Sequence, residues 1–118
     1  MKVFLNIADR LEADILRGAY LPGNRLPSVR LLAEKMEVSQ GTVQNTLRYL
    51  KDKRLVTVKR TRGYFVVEDE AYIRKMRQKK ENGLAQNLFS SLHSLGMTDK
   101  EIAELMDREQ KSRKNRYR

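Results

Sequence analysis

From Val38 to Leu50 the chain reads VSQGTVQNTLRYL, and its leading end carries short polar side chains: Ser39, Gln40, Thr42, Gln44 and Asn45. Side chains of this kind read hydrogen-bonding surfaces. A Gln amide donates and accepts at once and matches N6 and N7 of adenine, so Gln40 and Gln44 are candidates for reading base edges in a DNA major groove. Ser39 and Thr42, with the free N–H groups of a helix start, suit phosphate oxygens. Gly41 between them lets a backbone approach closely.

The second chemistry is charge. The chain carries a formal +10, which in an intracellular protein points to a polyanionic partner. Its distribution is uneven: residues 48 to 62 hold Arg48, Lys51, Lys53, Arg54, Lys59, Arg60 and Arg62 against Asp52 alone. Two further basic runs, Arg74 to Lys80 and Arg108 to Arg118, suit either added phosphate contacts or a solvated face and stay outside the candidate site.

Catalytic chemistry has little to work with. Cysteine is absent, which excludes thiolate nucleophiles, thiolate zinc sites and disulfides. The sole histidine, His93, sits among leucines with no matching acid or nucleophile motif, and no glycine-rich phosphate loop occurs. Neither an enzyme nor a metal or other cofactor is expected. No apolar run approaches the roughly 18 to 20 residues of a membrane span, and the opening MKVFLNIADRLEAD carries acids where a signal peptide has none. The expected location is the cytoplasm, with no membrane partner.

These residues need a scaffold. Ile7, Leu11 and Ile15, widened by Ala8 and Leu16, predict an amphipathic helix from about Phe4 to Arg17 that stops at Gly18. Pro22 and Gly23 suit a tight turn in what reads as a connector, and Leu26 before Pro27 is biased to extended backbone. Ser28 caps a second helix of about eight residues bearing Val29, Leu32, Ala33 and Met36. Ser39 caps a third, whose apolar face is Val43, Leu47 and Leu50. Two short helices joined by a tight turn make a helix-turn-helix. "LVTV" and "YFVV" predict a hairpin over residues 55–58 and 64–67 with a five-residue basic tip from Lys59 to Gly63.

Three helices and such a hairpin have the order of a winged helix. The expected fold class is mainly α with a small β-hairpin: a winged helix-turn-helix domain over 1–69, then a helical extension over 70–118 with a basic C-terminal tail. In the extension Ile73, Met76, Leu84, Leu88, Leu92 and Leu95 can share one face, on one helix crossing Gly83 or on two that meet there. Thr98 and Glu101 form a capping box for a last helix with Ile102, Leu105 and Met106. From Lys111 on, KSRKNRYR has no apolar face and is expected to fray. A leucine face of this length exceeds what the last helix can cover, so a second copy is the natural partner, through Ile73, Met76, Leu84, Leu88, Leu92, Leu95, Ile102 and Leu105; the alternative is that the stripe folds back on the winged helix.

The spacing of Ile7, Ile15, Gly18, LPGNRLPSVR (Leu21 to Arg30), Leu32-Ala33, Val38-Ser39, Thr42-Val43, Leu50 and Gly63-Tyr64-Phe65-Val66 resembles the GntR family of bacterial transcription regulators, over residues 4 to 67. The short helical tail resembles the compact YtrA-like subgroup, whose tail is mainly a dimerisation device. The resemblance implies a homodimer bound to double-stranded DNA, acting as a repressor on a pseudo-palindromic operator. It implies DNA contacts at Ser28 and Arg30, at Ser39, Gln40, Thr42 and Gln44, and at the wing tip, Arg60, Thr61 and Arg62. Glu37, Arg54 and Thr61 stand where the family usually has glycine, so the turns at the first two are expected to be shaped differently. A small-molecule effector at the dimer interface is a further candidate partner, and no residue pattern marks its chemistry. Two rival readings use the same elements: an RNA-binding winged helix, and an adaptor that docks protein through the third helix.

Overall fold

In the computed structural model the backbone is described for residues 2–60 and 62–116, and side chains for 6–60 and 62–114. The elements run α1 (Lys2–Leu16), α2 (Val29–Met36), α3 (Gln40–Asp52), β1 (Val56–Lys59), β2 (Gly63–Val66), α4 (Glu70–Ser94) and α5 (Asp99–Arg116). They form two compact units, Met1–Arg77 and Gln78–Arg118.

The first unit is a winged helix-turn-helix. Its core takes Leu11 and Ile15 from α1, Leu32 from α2, Leu47 and Leu50 from α3, and Val66 from β2. α3 is the central element, packed against both α1 and α2. Leu32, Leu47, Leu50 and Leu55 are fully enclosed, so truncating any one to alanine costs about 2–5 kcal/mol. The unit continues past the expected division at residue 69, because Ile73 of α4 is buried in this core and Met76 packs against it.

Four helices end in the same way. After α1, Gly18 N–H donates to Ile15 O and Ala19 N–H to Asp14 O. The same pair of bonds recurs at Glu37 and Val38, at Arg54 and Leu55, and at Gly96 and Met97. This double bond pattern needs a left-handed residue after the cap. Glu37 and Arg54 adopt it, at φ 58° and 63°. The expectation of altered turns is therefore corrected: the turns keep their shape, and the strain of a left-handed β-carbon is borne there instead.

The stretch expected as a mere connector also contributes structure. Asn24 N–H closes the Leu21 turn by donating to Leu21 O at 3.1 Å, and Arg25 then pairs antiparallel with Phe65. Leu26 N–H donates to Tyr64 O and Val66 N–H to Asn24 O. This adds a single antiparallel bridge along the free edge of β2 and buries Leu26. The hairpin tip is shorter than expected: Lys59 pairs with Gly63, so Arg60 to Arg62 alone form the loop.

In the second unit α4 is one helix through Gly83, where an added β-carbon would meet nothing within 4 Å. Glu101 N–H donates to Thr98 Oγ1 (3.2 Å) and Thr98 N–H to Glu101 Oε1 (2.9 Å), which is the expected capping box. These bonds to the carboxylate hold the Glu101 pKa below its usual value. The fraying expected from Lys111 is not seen in the described residues: α5 runs to Arg116, with Lys111 Nζ 3.1 Å from Asp107 Oδ2 one turn back. Tyr117 and Arg118 lie outside the described residues.

Candidate nucleic-acid interface

α3 is held firmly at one end and left open at the other. At its C-terminal end Lys53 Nζ lies 3.0 Å from Glu12 Oε2 of α1 and 4.9 Å from the centre of the Tyr49 ring. Burial disfavours the Lys53 ammonium, but the hydrogen bonds and charges of Glu12 and Tyr49 outweigh it, so its pKa is raised above 10.5. The Tyr72 hydroxyl of α4 donates to Lys53 O at 2.7 Å, tying a third helix to the same point. Thr46, fully buried, donates its hydroxyl to Thr42 O at 2.9 Å. Periodicity did not single out Glu12, which stands beside Leu11 on the buried face of α1.

At the open end Ser39 has extended backbone and its Oγ accepts from Thr42 N–H at 3.1 Å. The Ser39 and Thr42 hydroxyls also bond each other at 2.9 Å. The pair has two O–H protons and that bond uses one, so one donor stays available to an incoming oxygen whichever hydroxyl donates. Gln40 and Gln44 are exposed and one helical turn apart, on one face. Asn45, next to Gln44 in the chain but further round the helix, accepts from Arg48 Nη1 at 3.0 Å. Gly41 has room for a methyl group, whose only close neighbour would be Ser39 Oγ at 3.8 Å.

Ser28 caps α2 by accepting from Leu31 N–H at 3.1 Å. Arg30 is exposed and its Nε lies 3.6 Å from Glu34 Oε1, an open surface pair worth little and easily exchanged for another anion. In the wing, Arg60 and Arg62 are exposed, and Arg62 N–H closes the loop by donating to Lys59 O at 2.9 Å. Thr61 lies outside the described residues. The fold thus brings the α2 cap, the leading turns of α3 and the hairpin loop into one unit, with no metal-binding cluster among the described residues.

Two cations that the sequence reading left off the site belong to the wing. Lys59 Nζ lies 4.6 Å from the Phe65 ring centre, and the Arg25 guanidinium lies over Gly63. For Arg25 the local sequence offers no more than the extended bias of its neighbour Leu26 before Pro27.

The proposed dimer residues divide between the units. Ile73 and Met76 are taken up by the first unit's own core, and Ile102 is fully buried. Leu92 and Leu105 are half-buried, whereas Leu84, Leu88 and Leu95 are 59%, 43% and 78% exposed, as is Phe89 at 42%. A cleft of about 650 Å³ beside Leu88 is lined by Ala103, Met106 and Arg113 of α5. No described helix is long and apolar enough to cross a membrane.

Residues 4–66 match the model for bacterial regulatory proteins of the gntR family. The chain is 28% identical over 102 residues to the HTH-type transcriptional regulator YhcF of Bacillus subtilis, covering 86% of this chain and 84% of that one. It is 39% identical over 66 residues to the Galactonate operon transcriptional repressor of Escherichia coli, but spans only 29% of that protein's length. Among solved structures, a GntR family transcriptional regulator from Listeria monocytogenes superposes with a TM-score of 0.85 at 26% identity, over 90% of this chain and 93% of the other. YtrA of Sulfolobus acidocaldarius, a GntR-family transcription factor, is 33% identical with a TM-score of 0.52, over 70% of this chain and 85% of the other.

Proposed function

The chain belongs to the GntR family of bacterial regulatory proteins, DNA-binding regulators of transcription, and from that premise we propose a homodimeric repressor that occupies a pseudo-palindromic operator. The observation that carries this reading is the open end of α3. Gln40 and Gln44 are exposed on one face above a capped first turn, while the other end of the helix is fixed to α1 and α4. A helix held in this manner can enter a major groove amino end first and keep its register.

In this reading Gln40 and Gln44 read base edges, and the spare Ser39–Thr42 proton and Arg30 hold phosphates. Arg60, Thr61 and Arg62 place the wing tip against the backbone. Ser28 acts indirectly, by capping the helix that carries Arg30. The exposed Leu84, Leu88, Phe89 and Leu95 support pairing of two copies through the second unit, which would set two half-sites about one helical turn apart. The cleft beside Leu88 is the proposed place for a small-molecule effector, since a ligand there adjoins the same leucine face.

Selection of binding sites by the purified protein from randomised duplexes tests the whole reading. The expected result is a two-fold symmetric consensus. Recovery of no enriched sequence near physiological salt would sink it.

A further inference from the structure

Beyond its tip, the wing has a broad face. Phe65 stands opposite Thr57 on one side and Arg25 on the other, and Lys59 stands opposite Gly63. Residues directly opposite in antiparallel strands point to the same side. Arg25, Thr57, Lys59, Gly63 and Phe65 therefore share one face, while buried Leu26, Val56 and Val66 occupy the other. The first face looks away from the core.

Two cations cross this face on diagonals. Lys59 Nζ sits 4.6 Å from the Phe65 ring centre. Arg25 runs the other way, with Nε 3.2 Å and Nη2 3.4 Å from the point a β-carbon on Gly63 would occupy. A β-carbon at 63 would make the guanidinium give by a few tenths of an ångström, and the φ of 102° there disfavours any side chain. Among the described residues none forms an ion pair or a hydrogen bond with either cationic group. Arg25 keeps its full fork of donors unspent, with Lys59 a like charge on the same face. Such a cluster is repulsive until an anion joins it.

We propose that this outward face, Arg25 and Lys59 on a platform of Gly63 and Phe65, is a second phosphate-binding surface that grips the duplex backbone beside the wing tip. It rests on the reading that the wing binds duplex DNA. Phosphate is the occupant that fits: the guanidinium is planar with its donors unspent, and the same hairpin carries Arg60 and Arg62, so one polyanion can meet all four cations.

The test uses the full chain with Arg25→Gln, Lys59→Gln and their double variant, and Arg60→Ala as the tip reference. Binding to a duplex selected by the parent protein and to a random duplex is followed across salt concentrations. Each Gln variant should lower the slope of log affinity against log salt by about 0.9, the pair by about 1.8, with affinity down about fivefold per substitution near 0.15 M salt on both duplexes. Thermal midpoints should hold, and Arg25→Lys should keep the parent slope. An unchanged slope in the double variant while Arg60→Ala flattens it overturns the proposal, leaving the tip alone in contact. Equal losses for Arg25→Lys and Arg25→Gln with a lowered midpoint also overturn it, as does a variant whose only loss is affinity for polyglutamate. If Arg60→Ala too leaves the slope untouched, the wing reading itself is what fails.

Discussion

Gln44 and Gly41 face the same way for opposite reasons. Gln44 presents an amide whose two ends match one base edge, so Gln44→Ala should alter preference at one position in each half-site, at a cost of about 1–3 kcal/mol on the selected duplex and almost nothing on random DNA. Equal loss on both duplexes would remove it from base reading. Gly41 presents nothing. Its own chain leaves space for a β-carbon, yet glycine inside a helix is less stable than alanine by roughly 0.5–1 kcal/mol. On the proposed function an incoming DNA backbone accounts for that sacrifice, and Gly41→Ala should then raise the denaturation midpoint while weakening DNA binding. A variant both more stable and equally tight in binding would refute the close approach.

Among the elements, helix ends decide how α2 and α3 are presented. Glu37 closes α2 in a left-handed conformation normally given to glycine, directly before the Ser39 cap that starts α3. Glu37→Gly should stabilise the protein by about 1 kcal/mol, seen as a higher urea midpoint with an unchanged m-value. A fall in stability would mean that the glutamate side chain contributes more than the backbone strain costs. At the far end of α3, Lys53 neutralises a carboxylate that is almost wholly enclosed, 33% of its own side chain reaching solvent against 3% for Glu12. Lys53→Met should cost about 2–3 kcal/mol, less than the roughly 3–5 kcal/mol of a fully enclosed pair, since solvent screens the exposed part. The raised Lys53 pKa sets the pH window. Its contribution is complete below pH 10.5 and disappears as pH climbs through the folded-state value, so the parent and Lys53→Met should differ most at neutral pH and converge in strong alkali. Urea titrations of both proteins across that range measure it.

For the whole molecule, the proposed function makes specificity depend on a second copy, because one helix end reads only a few base pairs. Leu84 and Leu95 are exposed and belong to the second unit, so Leu84→Glu with Leu95→Glu should leave the fold intact and give a monomer by sedimentation velocity. Affinity for a two-half-site duplex should drop at least about tenfold, while affinity for a single half-site holds. A parent protein that sediments as a monomer at micromolar concentration would dispose of the dimer.

The amino-acid order by itself determined the features whose causes lie within a few residues. Caps at Ser28 and Ser39, the stop at Gly18, the capping box at Thr98 and the apolar periods of the first three helices all act over three or four positions, and each is written in local residue types. The exposed glutamines followed from the same local logic. What only the tertiary structure decided involves partners far apart in the chain. Arg25 joins the wing by pairing with Phe65, Glu12 finds Lys53, and Ile73 and Met76 enter the first unit's core although their spacing also suited a surface stripe. A period of 3.6 residues says which side of a helix is apolar but not what covers it, and a single extended tripeptide has no period at all. Those choices are made by packing, since burying Ile73 and Leu26 against an existing core removes apolar surface from water without waiting for a second chain.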